Sequence, residues 1–189
     1  MADRLIEAMT RSAARQYGQE RVNELAHALQ CAELADAAGA DEELVLACLL
    51  HDVGRYAVAQ DGITDTLERT ATPSRTGRGQ HEAGADLVAP YVPERVVFLI
   101  RAHAEAKRYL CTTEPGYYDS LSRGSKHTLT LQGNLMAPEE VVRAVKQPWW
   151  PEAIRLRRWD DAAKVIGKCT RELAAWEPLL RKHFGRPVA

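Results

Sequence analysis

The sequence predicts an all-α, bundle-like fold. Apolar residues recur at three- and four-residue steps through most of the chain. Prolines and capping residues fall where those stretches begin or end, and nothing reads as a set of paired strands. At 189 residues the chain can bury a core without disulfides and reads as one domain over residues 1–189.

From Arg21 to Ala38, Val22, Leu25, Ala26, Leu29 and Ala32 mark one face of a helix, with Gly39 suited to its C-cap. Asp41 is placed to cap the next helix, and Glu42 and Glu43 suit its positive end. The run from Leu44 to Leu50 is apolar all round, which predicts a central buried helix. It delivers His51 and Asp52 at its C-terminal end, with Gly54 following. From Gln60 to Gln80 the chain is rich in Thr, Gly and Arg and weakly periodic, so a long connection is expected, and such connections are often functional. A short helix from about His81 to Ala89 is ended by Pro90. Pro93 opens another that carries Val96, Val97, Leu99, Ile100 and His103. The stretch Tyr109 to Gln132 is mixed. Pro138 suits the first position of a helix with Glu139 and Glu140 behind it. Pro151 starts a helix running towards Val165, and a last amphipathic helix runs from about Thr170 to His183.

Composition excludes several classes of function. A net charge of -1 gives no field for nucleic acid or a membrane surface. The N-terminus carries charge from its third residue and has no signal-peptide pattern. No stretch approaches the ~18 apolar residues of a membrane span. Cys31, Cys48, Cys111 and Cys169 are scattered without CxxC spacing, which suits small buried hydrophobes in a reducing cytoplasm. Oligomeric state is left open.

Ionisable residues on apolar faces point to the chemistry. His27 shares a side with Cys31 and Leu34. His103 lies seven residues after Val96 and four after Leu99, on their inward face. His81 opens a helix, and Asp160 follows Trp159 with Lys164 one turn on. A single inward histidine has the ordinary explanation of a hydrogen-bonded core residue. The adjacent pair His51-Asp52, directly after a fully apolar helix, is harder to explain so. An uncompensated buried carboxylate costs several kcal/mol, and a metal removes that cost. Mixed imidazole and carboxylate donors suit iron, manganese or zinc. Asp52 could bridge two ions ~3.5–4 Å apart, the spacing of two-metal clamps.

The order His27, His51-Asp52, His81, His103, Asp160 resembles the HD-domain superfamily, whose fold is a helical bundle. His81 and His103 resemble the additions of its two-metal subset. The strings HAEAKRYLC (103–111), YYDSLSRGSKHTLTLQG (117–133) and RLRRWDDAAKV (155–165) are similar to the phosphonate-oxidising HD oxygenases, and more distantly to inositol oxygenases. The resemblance runs from about Tyr17 to Val165, with residues 166–189 beyond it as a C-terminal helix.

That resemblance implies two iron ions, Fe(II) and Fe(III), held by His27, His51, Asp52, His81, His103 and Asp160, with Asp52 bridging and O2 as co-substrate. Asp160 is preferred to Asp161 because the family's ligand directly follows the aromatic residue. Asp160 is also expected to share a helical face with Lys164, leaving Asp161 pointing away. Lys107, Ser125 and Gln132 match phosphonate-binding positions, and Arg158 and Lys164 are expected to add charge there. Tyr17 and Glu20 fall where the family keeps a gating loop, the tyrosine covering an iron and the glutamate meeting a substrate amino group. The implied reaction is oxidative cleavage of the carbon–phosphorus bond of a small 1-hydroxyphosphonate, giving phosphate and a carboxylic acid. Two departures affect substrate choice: Arg55, where a histidine often follows HD-x-G and which could supply another anion contact, and Asn134, where a second glycine is usual. The rival is a metal-dependent phosphohydrolase acting on a nucleotide or phosphomonoester, for which Arg55 and the loop from Arg69 to Arg78 would suit phosphate binding.

Overall fold

The structure, a computed structural model, describes residues 1–56 and 79–185. The long connection expected from Gln60, with Arg69 to Arg78 inside it, lies outside these residues, apart from Gly79 and Gln80. The helices are α1 (Ala2–Ser12), α2 (Glu24–Ala37), α3 (Glu42–Leu50), α4 (Val53–Tyr56), α5 (Gln80–Val88), α6 (Glu94–Thr113), α7 (Tyr117–Ser120), α8 (Arg123–Leu131), α9 (Pro138–Ala144), α10 (Trp150–Ala162) and α11 (Leu173–Phe184). Among the described residues there is no strand, only an isolated bridge between Gln16 and Asn23.

α3 is the axis of the molecule. Its seven residues from Leu44 to Leu50 are all buried, and α2, α6 and α10 pack round it. Local chemistry sets its ends: Asp41 accepts the Leu44 N–H at 3.1 Å, and the helix stops as His51 takes the C-cap. Asn23 caps α2 in the same way, accepting from Ala26 N at 2.7 Å, so α2 starts two to three residues later than its apolar pattern. Ala38 is the C-cap of α2, and Gly39 just beyond it takes the left-handed conformation (φ 70°) that suits glycine. Arg95 of α6 ties the bundle outside, bonding Asp41 at 2.8 Å and Glu152 of α10 at 2.7 Å.

Two expectations change, and one helix appears that the sequence reading does not assign. The N-terminal segment forms α1, whose Leu5, Ala8, Met9 and Ser12 are buried and which packs against α11. The mixed stretch from Tyr109 is helical for most of its length: it ends α6 and then forms α7 and α8, the latter capped by Ser122. α10 ends at Ala162, so Lys164 and Val165 lie beyond the helix.

Two glycines let α4 and α5 touch. A Cβ on Gly54 would stand 2.0 Å from the Gln80 carbonyl oxygen, and one on Gly84 would stand 2.6 Å from the Gly54 nitrogen. This close approach brings His81, on the first turn of α5, towards the end of α3. Among the described residues no helix is long and apolar enough to cross a membrane.

Candidate metal centre

Three histidines from three helices present the same face to one point. His27 of α2 sets Nδ1 2.8 Å from the Ala163 carbonyl, His51 sets Nδ1 2.8 Å from the Cys48 carbonyl, and His103 of α6 sets Nδ1 2.7 Å from the Ile100 carbonyl. A carbonyl can only accept, so each Nδ1 carries a proton and each Nε2 is left to face the centre. This is the outer-shell arrangement that orients metal-ligating imidazoles. The Nε2 atoms of His27 and His51 then lie 3.0 Å apart.

The carboxylates complete the ring of acceptors. Asp52 Oδ2 is 3.5 Å from His51 Nε2 and 3.9 Å from His27 Nε2, while its Oδ1 faces His103 Nε2 at 4.0 Å. Asp160 Oδ1 is 3.3 Å from His27 Nε2 and 4.0 Å from His51 Nε2. Asp52 Oδ2 and Asp160 Oδ1 are both buried without a hydrogen-bond donor. The donor atoms of His27, His51 and Asp52 lie within 4.8 Å of one another. The ring of His81 is 5.9 Å from that of His103. Nitrogen and oxygen lone pairs aimed at a buried space, with two orphaned carboxylate oxygens, fit a bound metal.

Electrostatics tell the same story. Burial opposes a charge on His51, but Asp52 and its other neighbours overcome that and raise it to about 10. Burial and the charge on His51 push His103 down to about 3. Burial also lowers His81. Asp52, despite burial, is held below the usual carboxylate range by His51 and Arg55. Burial lowers His27 too, so two carboxylates stay ionised, three imidazoles neutral and one positive charge rests on His51, where a metal cation could replace it.

Beside this centre lies a cationic pocket. Arg157 of α10 reaches Asp160 Oδ2 at 2.6 Å, pairs with Asp161, and sets Nη2 3.5 Å from Ser125 Oγ. Lys164 donates to Ser125 Oγ at 2.9 Å, and Lys107 donates to Thr128 Oγ1 at 2.6 Å. Lys107 is 1 % exposed. Burial, then the charges of Arg157 and Lys164, lower it to about 7. Two cations thus meet at the Ser125 hydroxyl and a third reaches the Thr128 hydroxyl on the same helix, a grouping chemically able to hold an anion. Gln132 closes α8 with a buried Oε1 that has no donor.

Two sequence assignments need correction. Arg158 does not join the pocket: it is 48 % exposed and pairs with Glu114 at the surface, because the next helical position turns it by about 100°. Its neighbour Arg157 takes the inner position. Nor does Asp161 point away, since Arg157, Lys164 and the Tyr117 hydroxyl all engage it. Lys164 reaches both Asp160 and Asp161 from the turn after α10, at 3.8 and 3.5 Å, rather than along a shared helical face. Sequence reasoning does not single out Arg157, Thr128 or Tyr117. For Arg157 the signal was present: Ala153, Leu156, Arg157 and Asp160 follow the steps of one buried helical stripe. Asn134 keeps the backbone that a second glycine would give, with φ 60°.

The loop between α1 and α2 covers the centre. Tyr17 stacks on His27, with ring centroids 3.8 Å apart and planes at 16°, and its N–H donates to the Val22 carbonyl at 2.9 Å. Burial, then Asp52 and Asp160, push its phenol well above the usual range. The Glu20 carboxylate accepts from Ser122 and lies against Gly124 at the start of α8, so it is already engaged. Arg55 sets its guanidinium 4.7 Å from the Tyr17 ring centroid and 3.4 Å from Glu24, whose other oxygen accepts from Arg15 at 2.8 Å.

The family model described as HD domain matches residues 25–146. A hydroxymethylphosphonate dioxygenase of Gimesia maris is 39% identical over 149 residues, 78% of this chain and 71% of that protein. A [1-hydroxy-2-(trimethylamino)ethyl]phosphonate dioxygenase (glycine-betaine-forming) of Leisingera caerulea is 33% identical over 174 residues, 90% of this chain and 85% of that protein.

Proposed function

We propose that this chain, which belongs to the HD-domain family, cleaves the carbon–phosphorus bond of a small 1-hydroxyphosphonate with O2 at a pair of iron ions, releasing phosphate and a carboxylic acid. The reaction balances with no separate reductant: hydroxymethylphosphonic acid and O2 contain the atoms of formic and phosphoric acids, and the four electrons come from the substrate. His27, His51, Asp52 and Asp160 would hold one ion, and His81 and His103 a second, with Asp52 between them. When bound, a mixed-valence iron pair supplies O2 activation and a Lewis-acid site for the substrate hydroxyl.

The single observation that carries the reading is Arg157, which touches Asp160 on the metal side and faces Ser125 on the anion side. An anion held by Lys107, Arg157, Lys164 and Ser125 thus lies one side chain from the metal donors. Gripping the phosphonate there fixes the C1 hydrogen and hydroxyl towards Asp52 and His103, which converts binding into orientation. Gln132 Oε1 is free to accept from a protonated phosphonate oxygen or a water. Tyr17 shields the centre until substrate displaces it, and Glu20 anchors its loop on α8. The four unpaired cysteines suit a reducing cytoplasm.

The test is anaerobic loading with iron, followed by hydroxymethylphosphonate with and without O2. Phosphate and formate should form in equal amounts, matched by O2 uptake. Phosphate release without O2, or with magnesium alone, would overturn the reading in favour of hydrolysis.

A further inference from the structure

We propose that Arg55 sets the substrate class: it makes the wall beside Tyr17 cationic, so the site takes hydroxyphosphonates whose C1 substituent is small or uncharged and rejects those carrying an ammonium. The inference rests on the functional reading above and narrows it.

C1 of such a substrate bears four groups. The phosphonate goes to Lys107, Arg157 and Ser125, and the hydroxyl and hydrogen face the metal donors. The remaining substituent must point towards the covering loop, where Tyr17 lies over His27. Once Tyr17 is displaced, the vacated room is faced by Arg55, which now sits 4.7 Å from its ring, and by the Asp52 carboxylate that would hold the metal. Arg55 is fixed there. Glu24, itself only 4 % exposed, holds it from one side, and the nearest atom to a Cβ built on Gly18 of the loop is an Arg55 Nη at 3.9 Å.

Nearby carboxylates are committed. Glu24 is shared between Arg15 and Arg55, Glu20 accepts from Ser122, and Asp52, whose charge also acts on Arg55, is committed to the histidines and the metal it would hold. Arg15, Glu24 and Arg55 together leave one net positive charge on this wall. A trimethylammonium or ammonium group arriving there meets a guanidinium in a site sheltered from water, where like charges repel strongly. A hydrogen, as in hydroxymethylphosphonate, meets nothing.

The experiment separates charge from size with three probes: hydroxymethylphosphonate, [1-hydroxy-2-(trimethylamino)ethyl]phosphonate, and its neutral isostere with a tert-butyl group in place of the trimethylammonium. Dissociation constants are measured anaerobically on the iron-loaded protein, and kcat/KM in air. Wild type should prefer the neutral isostere to the cation by about 30-fold or more, the order expected for one partly shielded like-charge contact. Arg55→Gln should bring that ratio to within about threefold, Arg55→Lys should keep it, and Glu24→Gln, which removes compensating negative charge, should raise it. Melting temperature and iron content confirm folding, and if Arg55→Gln does not fold the wild-type ratio and the other two variants decide. A wild-type ratio near one, or a ratio unmoved by Arg55→Gln, overturns the proposal. Discrimination in binding without phosphate release would sink the oxygenase reading alone. Phosphate release without discrimination would sink this inference alone.

Discussion

The Nε2 atoms of His27 and His51 lie 3.0 Å apart, and each ring has already committed its Nδ1 proton to a backbone carbonyl. Two lone pairs at that distance repel unless a proton or a metal sits between them. In the metal-free protein that place falls to the extra proton of His51, and a metal cation takes it over on binding. A ligand that binds only the native state contributes about 4 kcal/mol at a thousandfold excess over Kd. At about 2–4 °C per kcal/mol for a chain of this size, removing the metal should lower the melting temperature by roughly 10 °C. Differential scanning calorimetry before and after chelation, then after anaerobic iron restoration, measures this. An unchanged melting temperature would mean that the pair is satisfied by a proton alone.

Arg157 and Arg158 are adjacent in sequence and opposite in consequence. Arg157 is 4 % exposed at its side chain and compensates Asp160 and Asp161, whereas Arg158 is 48 % exposed and meets only Glu114. Arg157→Ala leaves buried carboxylates uncompensated, a loss of about 3–5 kcal/mol. Inorganic phosphate should then bind at least tenfold more weakly. Arg158→Ala should change stability by about 0.5 kcal/mol or less and leave phosphate affinity alone. Urea denaturation and phosphate titration on both variants decide the assignment. Equal losses would put both arginines in the pocket.

Much of this centre was legible because a histidine or aspartate on an apolar helical face is chemically conspicuous. His27, His103 and Asp160 each sit on buried stripes, and His51-Asp52 follows seven buried residues. What sequence hid was mostly rotation and register. Arg157 and Arg158 differ by one helical step, and the turn after Ala162 let Lys164 approach from outside the helix. The α1 stripe of Leu5, Ala8, Met9 and Ser12 was readable by spacing, but its partner α11 lies at the other end of the chain. The Arg15–Glu24–Arg55 chain was illegible for the same reason: its members are far apart until the loop folds over α4.

Lys107 gives a pH signature. Burial among cations lowers it from 10.5 to about 7, so between those values the native state holds fewer protons than the unfolded state. Its contribution to stability accordingly rises with pH across that window and is lost as pH falls towards 7. An anion reverses the preference by restoring the ammonium. At pH 8, binding of hydroxymethanesulfonate, an anion that does not itself titrate nearby, should take up close to one proton, and at pH 6 almost none. Calorimetry in buffers of different ionisation enthalpy reads the difference, and Lys107→Met should abolish it. Uptake that is the same at both pH values would remove Lys107 from the anion site.

Gly54 and Gly84 predict that the second ion can be lost without the first. A Cβ at Gly84 would stand 2.6 Å from the Gly54 nitrogen and 2.9 Å from a Val53 side-chain carbon. The backbone of α4 is anchored directly behind His51-Asp52 and cannot retreat, so α5 must move away. Overpacking of this kind costs about 1–3 kcal/mol, which a chain of this size tolerates. His81 rides on α5 and would withdraw from His103, whereas His27, His51, Asp52 and Asp160 come from α2, α3 and α10 with its own contacts intact. Gly84→Ala should therefore fold, with a melting temperature lower by a few degrees, and retain about one iron per chain in place of two. His81→Ala should give the same stoichiometry with less loss of stability, since it leaves the helix contact unchanged. Iron analysis after gel filtration, with Mössbauer spectra to separate single from paired ions, checks both variants. Two tightly held irons in either would show that His81 is not a ligand and that the α4–α5 contact serves packing alone.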